Sequence, residues 1–134
     1  MKVIVDTNIL ISAILFPNGK VAEVFSYLIK THDLIISSYA IEECEKVFET
    51  KFPMKMNCLK EFFVDLSYEL FQTPSKIDSK EYPEIRDAKD LPILASAIES
   101  DADILITGDK HFDDIKIHRP LIFTPNQYYE LIGR

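Results

Sequence analysis

Residues 86–112 read RDAKDLPILASAIESDADILITGDKHF, and this stretch decides the fold class. A polar, irregular segment up to Asp90 precedes Pro92, a residue suited to the first turn of a helix. The small and apolar residues that follow predict a helix ending near Ser100. Ile104–Ile106 (ILI) is a short apolar run typical of a buried strand. A helix leading into a buried strand is half of an α/β unit.

The same alternation of strand and helix patterns runs through the rest of the chain. Further strands are predicted at residues 2–5 (KVIV), 34–36 and 121–123. Helices are predicted at residues 9–15, 21–29, 38–51, 56–70 and from 125 onward. Thr7 or Asn8 is expected to cap the first helix, and Ser37 or Ser38 the third. With no repeat, low-complexity tract or linker, residues 1–134 are expected to form one α/β domain around a parallel sheet.

The composition limits the class of protein. A chain of 134 residues with 47% hydrophobic residues can build one core. Cys44 and Cys58 form no CxxC motif, and we interpret both as reduced core thiols of a cytoplasmic protein. The apolar N-terminus is interrupted by Asp6 and Asn8, so a signal peptide is not expected. No stretch approaches the roughly 20 apolar residues of a membrane-spanning helix, so no membrane association is expected.

The net charge is −7, from 22 acidic and 15 basic residues. Proteins that bind nucleic acid without sequence preference are usually basic, because their affinity comes from neutralising phosphates. An enzyme whose acidic side chains hold a divalent cation is an exception, since the cation supplies the local positive charge. The positions of the acidic residues are therefore decisive for the function.

Two aspartates follow predicted strands. Asp6 comes directly after Lys2–Val5, and Asp109 comes shortly after Ile104–Ile106, with Gly108 expected to permit a turn that would strain other residues. In open parallel sheets, ligands bind at the edge formed by the carboxyl ends of the strands. A helix cap or loop position explains each aspartate when it is taken alone. Two aspartates at two strand ends favour a shared site.

Asp90 is a third candidate, at the start of the helix that Pro92 opens. The proline is expected to hold Leu91 outside the helical region. Free N–H groups and the helix dipole are expected to keep the Asp90 carboxylate ionised. A helix cap would also account for Asp90. Asp87 is a weaker candidate of the same kind.

The fourth carboxylate comes from the helix predicted to end near Lys51. The buried face of that helix is formed by Ala40, Ile41, Cys44, Val47 and Phe48. Glu42 points away from this face, whereas Glu43 and Glu45 flank it on either side. Glu43 is preferred because it lies nearer the helix start, although the helical wheel alone does not separate it from Glu45.

Four carboxylates without clustered histidines or cysteines fit a hard cation with oxygen ligands, Mg²⁺ or Mn²⁺, rather than zinc. The three histidines are scattered along the chain. His111 is the strongest candidate among them for a catalytic role, because it lies two residues after Asp109. The sequence does not distinguish a site with one metal ion from a site with two.

The chain resembles the PIN-domain nucleases, in particular the small prokaryotic VapC-type toxins. The resemblance rests on residues 5–19 (VDTNILISAILFPNG), 37–48 (SSYAIEECEKVF), 86–112 and 123–132 (FTPNQYYELI), so it covers nearly the whole chain. It implies a three-layer α/β/α domain with a central, mostly parallel sheet of four to five strands.

The resemblance also implies the site. Its catalytic residues and its ligands of Mg²⁺ or Mn²⁺ would be the same four: Asp6, Glu43, Asp90 and Asp109. Supporting residues would be Asn8, Thr7 and Thr107, and further candidates are Asp87 and Asp113. The implied activity is endonucleolytic hydrolysis of RNA by the toxin of a toxin–antitoxin pair. The implied partners are RNA, an antitoxin protein and a second copy of the chain in a homodimer. Outside the four ligands the chain still has 18 acidic residues against 15 basic ones, which favours a restricted RNA substrate or a weak resting activity.

Two other functions stay open as alternatives. A magnesium-dependent phosphohydrolase of the haloacid-dehalogenase type would need a second aspartate two residues after Asp6, where this chain has Asn8. A non-catalytic interaction module would use the helix that carries Met56, Leu59, Phe62, Phe63 and Leu66. That helix has more apolar surface than one buried face requires, although core packing explains the same pattern.

Overall fold

Five parallel strands form the central sheet of the computed structural model, which describes residues 1–132. The last two residues of the expected domain, 133 and 134, lie outside the described part. The strands are β1 (Lys2–Val5), β2 (Asp33–Ser37), β3 (Glu69–Phe71), β4 (Ile104–Ile106) and β5 (Leu121–Phe123). Their order in the sheet is β3-β2-β1-β4-β5, and every neighbouring pair is parallel. The expected parallel sheet of four to five strands is confirmed.

Helices cover the sheet in the three-layer α/β/α arrangement that was expected. They are α1 (Thr7–Leu15), α2 (Lys20–Thr31), α3 (Ser38–Lys51), α4 (Met56–Asp65), α5 (Leu91–Glu99) and α6 (Pro125–Ile132). Single 3₁₀ turns occupy Pro53–Lys55, Ser79–Glu81, Ala88–Asp90 and Lys110–Phe112. The last two turns lie immediately before α5 and after β4, so both flank the carboxyl edge of the sheet.

The central strands are buried on both faces. Val3, Ile4 and Val5 of β1 have no exposed surface, and neither do Leu105 and Ile106 of β4. Continuous apolar runs of this kind are what a parallel sheet covered by helices requires. The polar residues that directly follow β1 and β4, Asp6 and Thr107, lie at the edge of the sheet and are themselves nearly buried.

The predicted helix over residues 56–70 is wrong in its second half. Helix α4 ends at Asp65, and Leu70 lies in β3, where it pairs with Ile36 of β2. The strand has three residues, and Leu70 is 49% exposed because β3 is an edge strand. Three residues are too few to show the alternation of side chains that identifies a strand, so this segment becomes a strand only through its pairing with β2.

Helix starts differ in two places from the predictions. Helix α1 begins at Thr7 with Asp6 as its cap, rather than after a cap at Thr7 or Asn8. Leu91 has φ −61° and ψ −40° and is the first residue of α5, so the expectation that Pro92 excludes it from the helix is wrong. The 3₁₀ turn Ala88–Asp90 runs directly into α5, and this tertiary context overrides the local bias before proline.

The structure confirms a serine cap for α3 and shows where the predicted apolar face of α4 packs. Ser37 accepts a hydrogen bond from the backbone N–H of Ala40, as a helix cap does. In α4, Leu59 is 2% exposed, and the other apolar residues of the predicted face pack against the core: Met56, Phe62, Phe63 and Leu66. Packing within the domain therefore accounts for this pattern.

One of the two cysteine predictions is wrong. Cys44 is buried in the core, but Cys58 on α4 is exposed. Among residues 1–132, no single helix has the length and apolar character needed to cross a membrane. The pair α1 and α2 meets those two criteria only when taken together, with a bend of 111° between them.

Candidate metal centre

The four predicted acids come together in one pocket of about 230 Å³ at the carboxyl edge of the sheet. Asp6 follows β1 and Asp109 follows β4, and these strands are neighbours. From β1 the chain adds β2 and then β3 on one side of the sheet, and it then adds β4 and β5 on the other side of β1. The pocket therefore lies at the topological switch point, where α/β sheets bind their ligands. Glu43 of α3 and Asp90, before α5, complete the acidic walls.

Asp6 is held by two hydrogen bonds. Its side chain is 6% exposed, with Oδ1 accepting from the backbone N–H of Thr7 at 2.6 Å. Oδ2 accepts from the hydroxyl of Thr107, also at 2.6 Å. Burial raises the pKa of the Asp6 carboxyl, the two hydrogen bonds act in the opposite direction, and the charge of Asp109 adds to the rise. The Asp6 carboxylate is thus held in one orientation but is poorly solvated.

Thr107 links Asp6 to Asp109. Besides donating to Asp6, its hydroxyl oxygen accepts from the backbone N–H of Asp109 at 3.1 Å. Asp109 Oδ1 in turn accepts from the backbone N–H of His111 at 2.8 Å. The expectation about Gly108 is wrong, because its φ is not positive and an added Cβ would meet no atom within 4 Å. The turn is set by these hydrogen bonds rather than by glycine.

Asp90 is paired with a histidine. The Nδ1 atom of His111 lies 2.9 Å from Oδ2 of Asp90 and 3.1 Å from Oδ1 of Asp109. Burial, together with the nearby charges of Asp109 and Asp6, raises the pKa of Asp90 to about 6, and the hydrogen bond from His111 opposes this rise. That hydrogen bond also raises the pKa of His111. His111, ranked first among the histidines from sequence, contacts two of the four acids.

The prediction that free N–H groups and the helix dipole keep the Asp90 carboxylate ionised is therefore wrong. Its side chain makes no capping hydrogen bond at the start of α5, so the free N–H groups of the helix do not stabilise its charge. Burial of the Asp90 carboxyl, and after it the crowding by Asp109 and Asp6, outweigh the helix dipole, which acts over about one turn and contributes modestly. This crowding is a tertiary effect that the local sequence does not contain.

The structure separates the three glutamates of α3. Glu43 is half-buried and lines the acidic pocket, whereas Glu42 and Glu45 are exposed and lie outside its lining. Tyr39, one helical turn before Glu43, lines the same pocket, and its hydroxyl donates to the carbonyl of Lys89 at 3.3 Å. Burial and the neighbouring Glu43 raise the pKa of Tyr39. Sequence analysis missed Tyr39, although its i, i+4 spacing from Glu43 is the signal that identifies it.

The remaining candidates lie at different distances from the acidic pocket. Thr7 and Asn8 line it. Asp87 lies beside the pocket. One carboxylate oxygen of Asp87, one of Asp90 and one ring nitrogen of His111 all lie within 4.8 Å of one another. Asp113 instead lines a neighbouring cavity, together with Asp109.

The donor set fits a hard divalent cation. Carboxylate oxygens dominate the pocket, as Mg²⁺ and Mn²⁺ prefer. Thr7 lines the pocket, and its hydroxyl is buried without a hydrogen-bond partner within residues 1–132. The residues that could hold such an ion are the four acids that line the pocket, Asp6, Glu43, Asp90 and Asp109, and Asp90 also belongs to the group with Asp87 and His111.

Comparison with known proteins identifies the family. A model of the PIN domain matches residues 2–111. The chain therefore belongs to the PIN-domain family, as the sequence predicted. Its fold is similar to that in the crystal structure of VapBC2 from Rickettsia felis bound to a DNA fragment from their promoter, with a TM-score of 0.70 and 22% sequence identity. The match covers 92% of this chain and 98% of that chain. No curated protein sequence matches significantly.

Proposed function

We propose that this chain is a metal-dependent endoribonuclease whose catalytic and metal-binding residues are Asp6, Glu43, Asp90 and Asp109. The observation that carries the proposal is the convergence of four carboxylates, from four separate segments, in one pocket at the switch point of the sheet. Crowded carboxylates raise one another's pKa and cost folding free energy, so such clusters mark functional sites. Membership of the PIN-domain family adds to this argument.

A divalent cation in the pocket would make a water molecule more acidic and stabilise negative charge on the phosphoryl oxygens of RNA. The residues around the acidic pocket have separate roles. Thr107 and the N–H of Thr7 hold both oxygens of Asp6 in one orientation. His111 offers a ring nitrogen to Asp90 and Asp109, and Lys89 places a cationic side chain at the pocket for a substrate phosphate.

We also propose that this nuclease is the toxin of a toxin–antitoxin pair, that it binds an antitoxin protein, and that it forms a homodimer. The similarity in fold to a VapBC complex supports the antitoxin partner. The net charge of −7 supports a restricted RNA substrate, because a surface with excess acid attracts phosphates weakly outside a metal site. Light scattering of the purified chain measures its mass directly, and a monomer at all concentrations would contradict the homodimer.

The decisive experiment is cleavage of a mixed pool of structured and single-stranded RNAs with Mg²⁺, with Mn²⁺ and with a chelator. The test variant is Asp6→Asn. The matched control is Asp33→Asn, which makes the same chemical change at an exposed position at the opposite end of the sheet. The wild type and Asp33→Asn should cut RNA only with metal, and Asp6→Asn should lose most of that activity.

Each alternative function gives a different result. Metal-dependent cleavage that persists in Asp6→Asn would contradict the assignment of the site. Hydrolysis of a phosphomonoester such as p-nitrophenyl phosphate, without RNA cleavage, would indicate the phosphohydrolase. Absence of Mg²⁺ and Mn²⁺ binding in calorimetry would indicate the interaction module.

A further inference from the structure

A second cavity, of about 210 Å³, adjoins the acidic pocket. Asp109 lines both, and Thr107, whose hydroxyl bonds Asp6, also lines the second cavity. The cavity lies between residues 112–120 on one side and β5 with the start of α6 on the other. It therefore lies next to the proposed site of phosphate cleavage, with Asp109 between the two.

Both apolar and polar residues line the cavity, and the surface they expose to it is more polar than apolar. The apolar lining residues include Phe112, Ile115, Ile117, Pro120, Ile122 and Phe123. The polar lining residues include Asp113, Thr124 and Gln127. Apolar lining residues accompanied by a few polar ones are typical of sites for small organic groups. Its volume is below the roughly 300–1,000 Å³ of pockets for drug-sized ligands, which suits one ring system.

The side chain of Gln127 has a set orientation. Its Oε1 accepts from the backbone N–H of Thr124 at 2.9 Å, and its backbone N–H donates to the Thr124 hydroxyl at 3.1 Å. With Oε1 engaged, the amide NH₂ is the group that Gln127 offers to a ligand, as a donor. Asp113 offers a carboxylate, which only accepts when it is ionised. Asp113 and Gln127 thus bring one carboxylate and one amide NH₂ to the set of residues that line the cavity.

We propose that this cavity binds the base of a nucleotide next to the scissile phosphate and selects guanine. The inference rests on the proposed nuclease function, which it deepens by naming a determinant of substrate choice. Sequence-specific proteins recognise single-stranded RNA by binding unstacked bases against apolar or aromatic side chains and by hydrogen bonds to their edges. Asp109, which lines both cavities, puts such a base beside the phosphate being cut.

Guanine fits the polar groups better than the other bases. It presents two adjacent donors, N1–H and the 2-amino group, which match the two oxygens of the Asp113 carboxylate. Its O6 accepts from the amide NH₂ of Gln127. Adenine, cytosine and uracil have no such adjacent pair of donors on this edge. A base pocket also suits a protein of net charge −7, which gains little affinity from phosphates in general.

The test uses short single-stranded RNAs in which one guanine is kept or replaced by inosine, adenine, cytosine or uracil. Inosine lacks only the 2-amino donor. Cleavage by the wild type is compared with Asp113→Asn, with Ile117→Trp, which fills the cavity, and with Asp114→Asn. The last is the matched control, because Asp114 makes the same charge change one position later, outside this cavity. Binding of the same RNAs to Asp6→Asn is measured by fluorescence anisotropy.

The wild type and Asp114→Asn should cut beside guanine about tenfold faster than beside the other bases, as one bidentate contact allows. Inosine, Asp113→Asn and Ile117→Trp should each remove most of this preference. Cleavage without a guanine preference, or a preference unchanged in Asp113→Asn and Ile117→Trp, would overturn the pocket and leave the nuclease proposal intact. Guanine-selective binding to Asp6→Asn that Asp113→Asn removes, without RNA cleavage by the wild type, would support the pocket and contradict the nuclease.

Discussion

The hydroxyl of Thr107 donates to Oδ2 of Asp6 across 2.6 Å, and this bond joins the end of β4 to the end of β1. The same oxygen accepts from the backbone N–H of Asp109 at 3.1 Å. One hydroxyl group thereby positions two of the four proposed metal ligands. Mutation of residues that orient a ligating carboxylate in this way typically reduces metal affinity or activity by about 10- to 100-fold.

Replacing Thr107 by valine removes this hydroxyl and keeps the shape of the side chain. We expect affinity for Mn²⁺ to fall about tenfold or more, because Asp6 loses a hydrogen bond that stabilises its charge. The free energy of unfolding should fall by about 1 kcal/mol. Isothermal calorimetry and thermal unfolding measure the two effects. Thr107→Ser retains the hydroxyl and should restore metal affinity, and equal affinities in all three proteins would contradict the positioning role.

Glu43 and Glu45 form a matched pair for testing the fourth ligand. Glu43 lines the acidic pocket, whereas Glu45, two residues later, is exposed. Glu43→Gln should weaken Mg²⁺ binding by at least about tenfold and reduce RNA cleavage, because the number of charged ligands sets the affinity of such sites. Glu45→Gln should bind metal and cut RNA as the wild type does. Equal losses of Mg²⁺ affinity and RNA cleavage in both variants would indicate that Glu43 acts through the net charge of the region and does not bind the metal.

The stability of the metal-free protein should depend on pH in a defined direction. The pKa of Asp90 is raised from 3.8 to about 6, so the native state binds a proton more tightly than the unfolded chain does. Its contribution to stability is full below the unfolded pKa and is lost as the pH rises through about 6. The raised pKa of His111 acts in the same direction. The melting temperature in chelator should therefore fall between about pH 4 and pH 6 from Asp90, and further above about pH 6.5 from His111.

Mg²⁺ should reverse this trend, since the cation binds the deprotonated carboxylates and gains affinity as the pH rises. Below about pH 6, binding that displaces one proton weakens about tenfold per pH unit. Melting curves across this range, with chelator and with Mg²⁺, test both statements. Asp90→Asn removes the carboxyl and should flatten the profile in chelator. A wild-type profile that rises with pH in chelator would show that other groups dominate.

The two cysteines should differ in reactivity. Burial, followed by the charges of Asp6 and of neighbouring glutamates, raises the pKa of the Cys44 thiol to about 12. Cys58 is exposed on α4. Because the thiolate is the reactive form, a thiol reagent near neutral pH should modify Cys58 alone in the folded protein and both cysteines after unfolding. Cys58→Ser should leave no reactive thiol before unfolding, and rapid modification of Cys44 in that variant would contradict its burial.

Much of the fold was predictable because its signals are local. Val3, Ile4 and Val5 form a short β-branched apolar run that is consistent with a buried strand, and the helical period of α2 and α3 follows from neighbouring residues. The strand β3 was not predictable, because its three residues become a strand only through pairing with β2. Leu91 was assigned wrongly for a related reason, since the preceding 3₁₀ turn outweighs the bias before Pro92.

By itself the sequence determined which acids stand at the ends of strands. Asp6 and Asp109 could be placed at one edge, because the carboxyl ends of parallel strands share that edge. Only the tertiary structure distinguished the position of Glu43 from that of Glu45, brought His111 between Asp90 and Asp109, and formed the cavity beside them. These features depend on distances between segments far apart in the chain. Local periodicity carries no information about such distances, whereas burial and the repulsion between carboxylates follow directly from them.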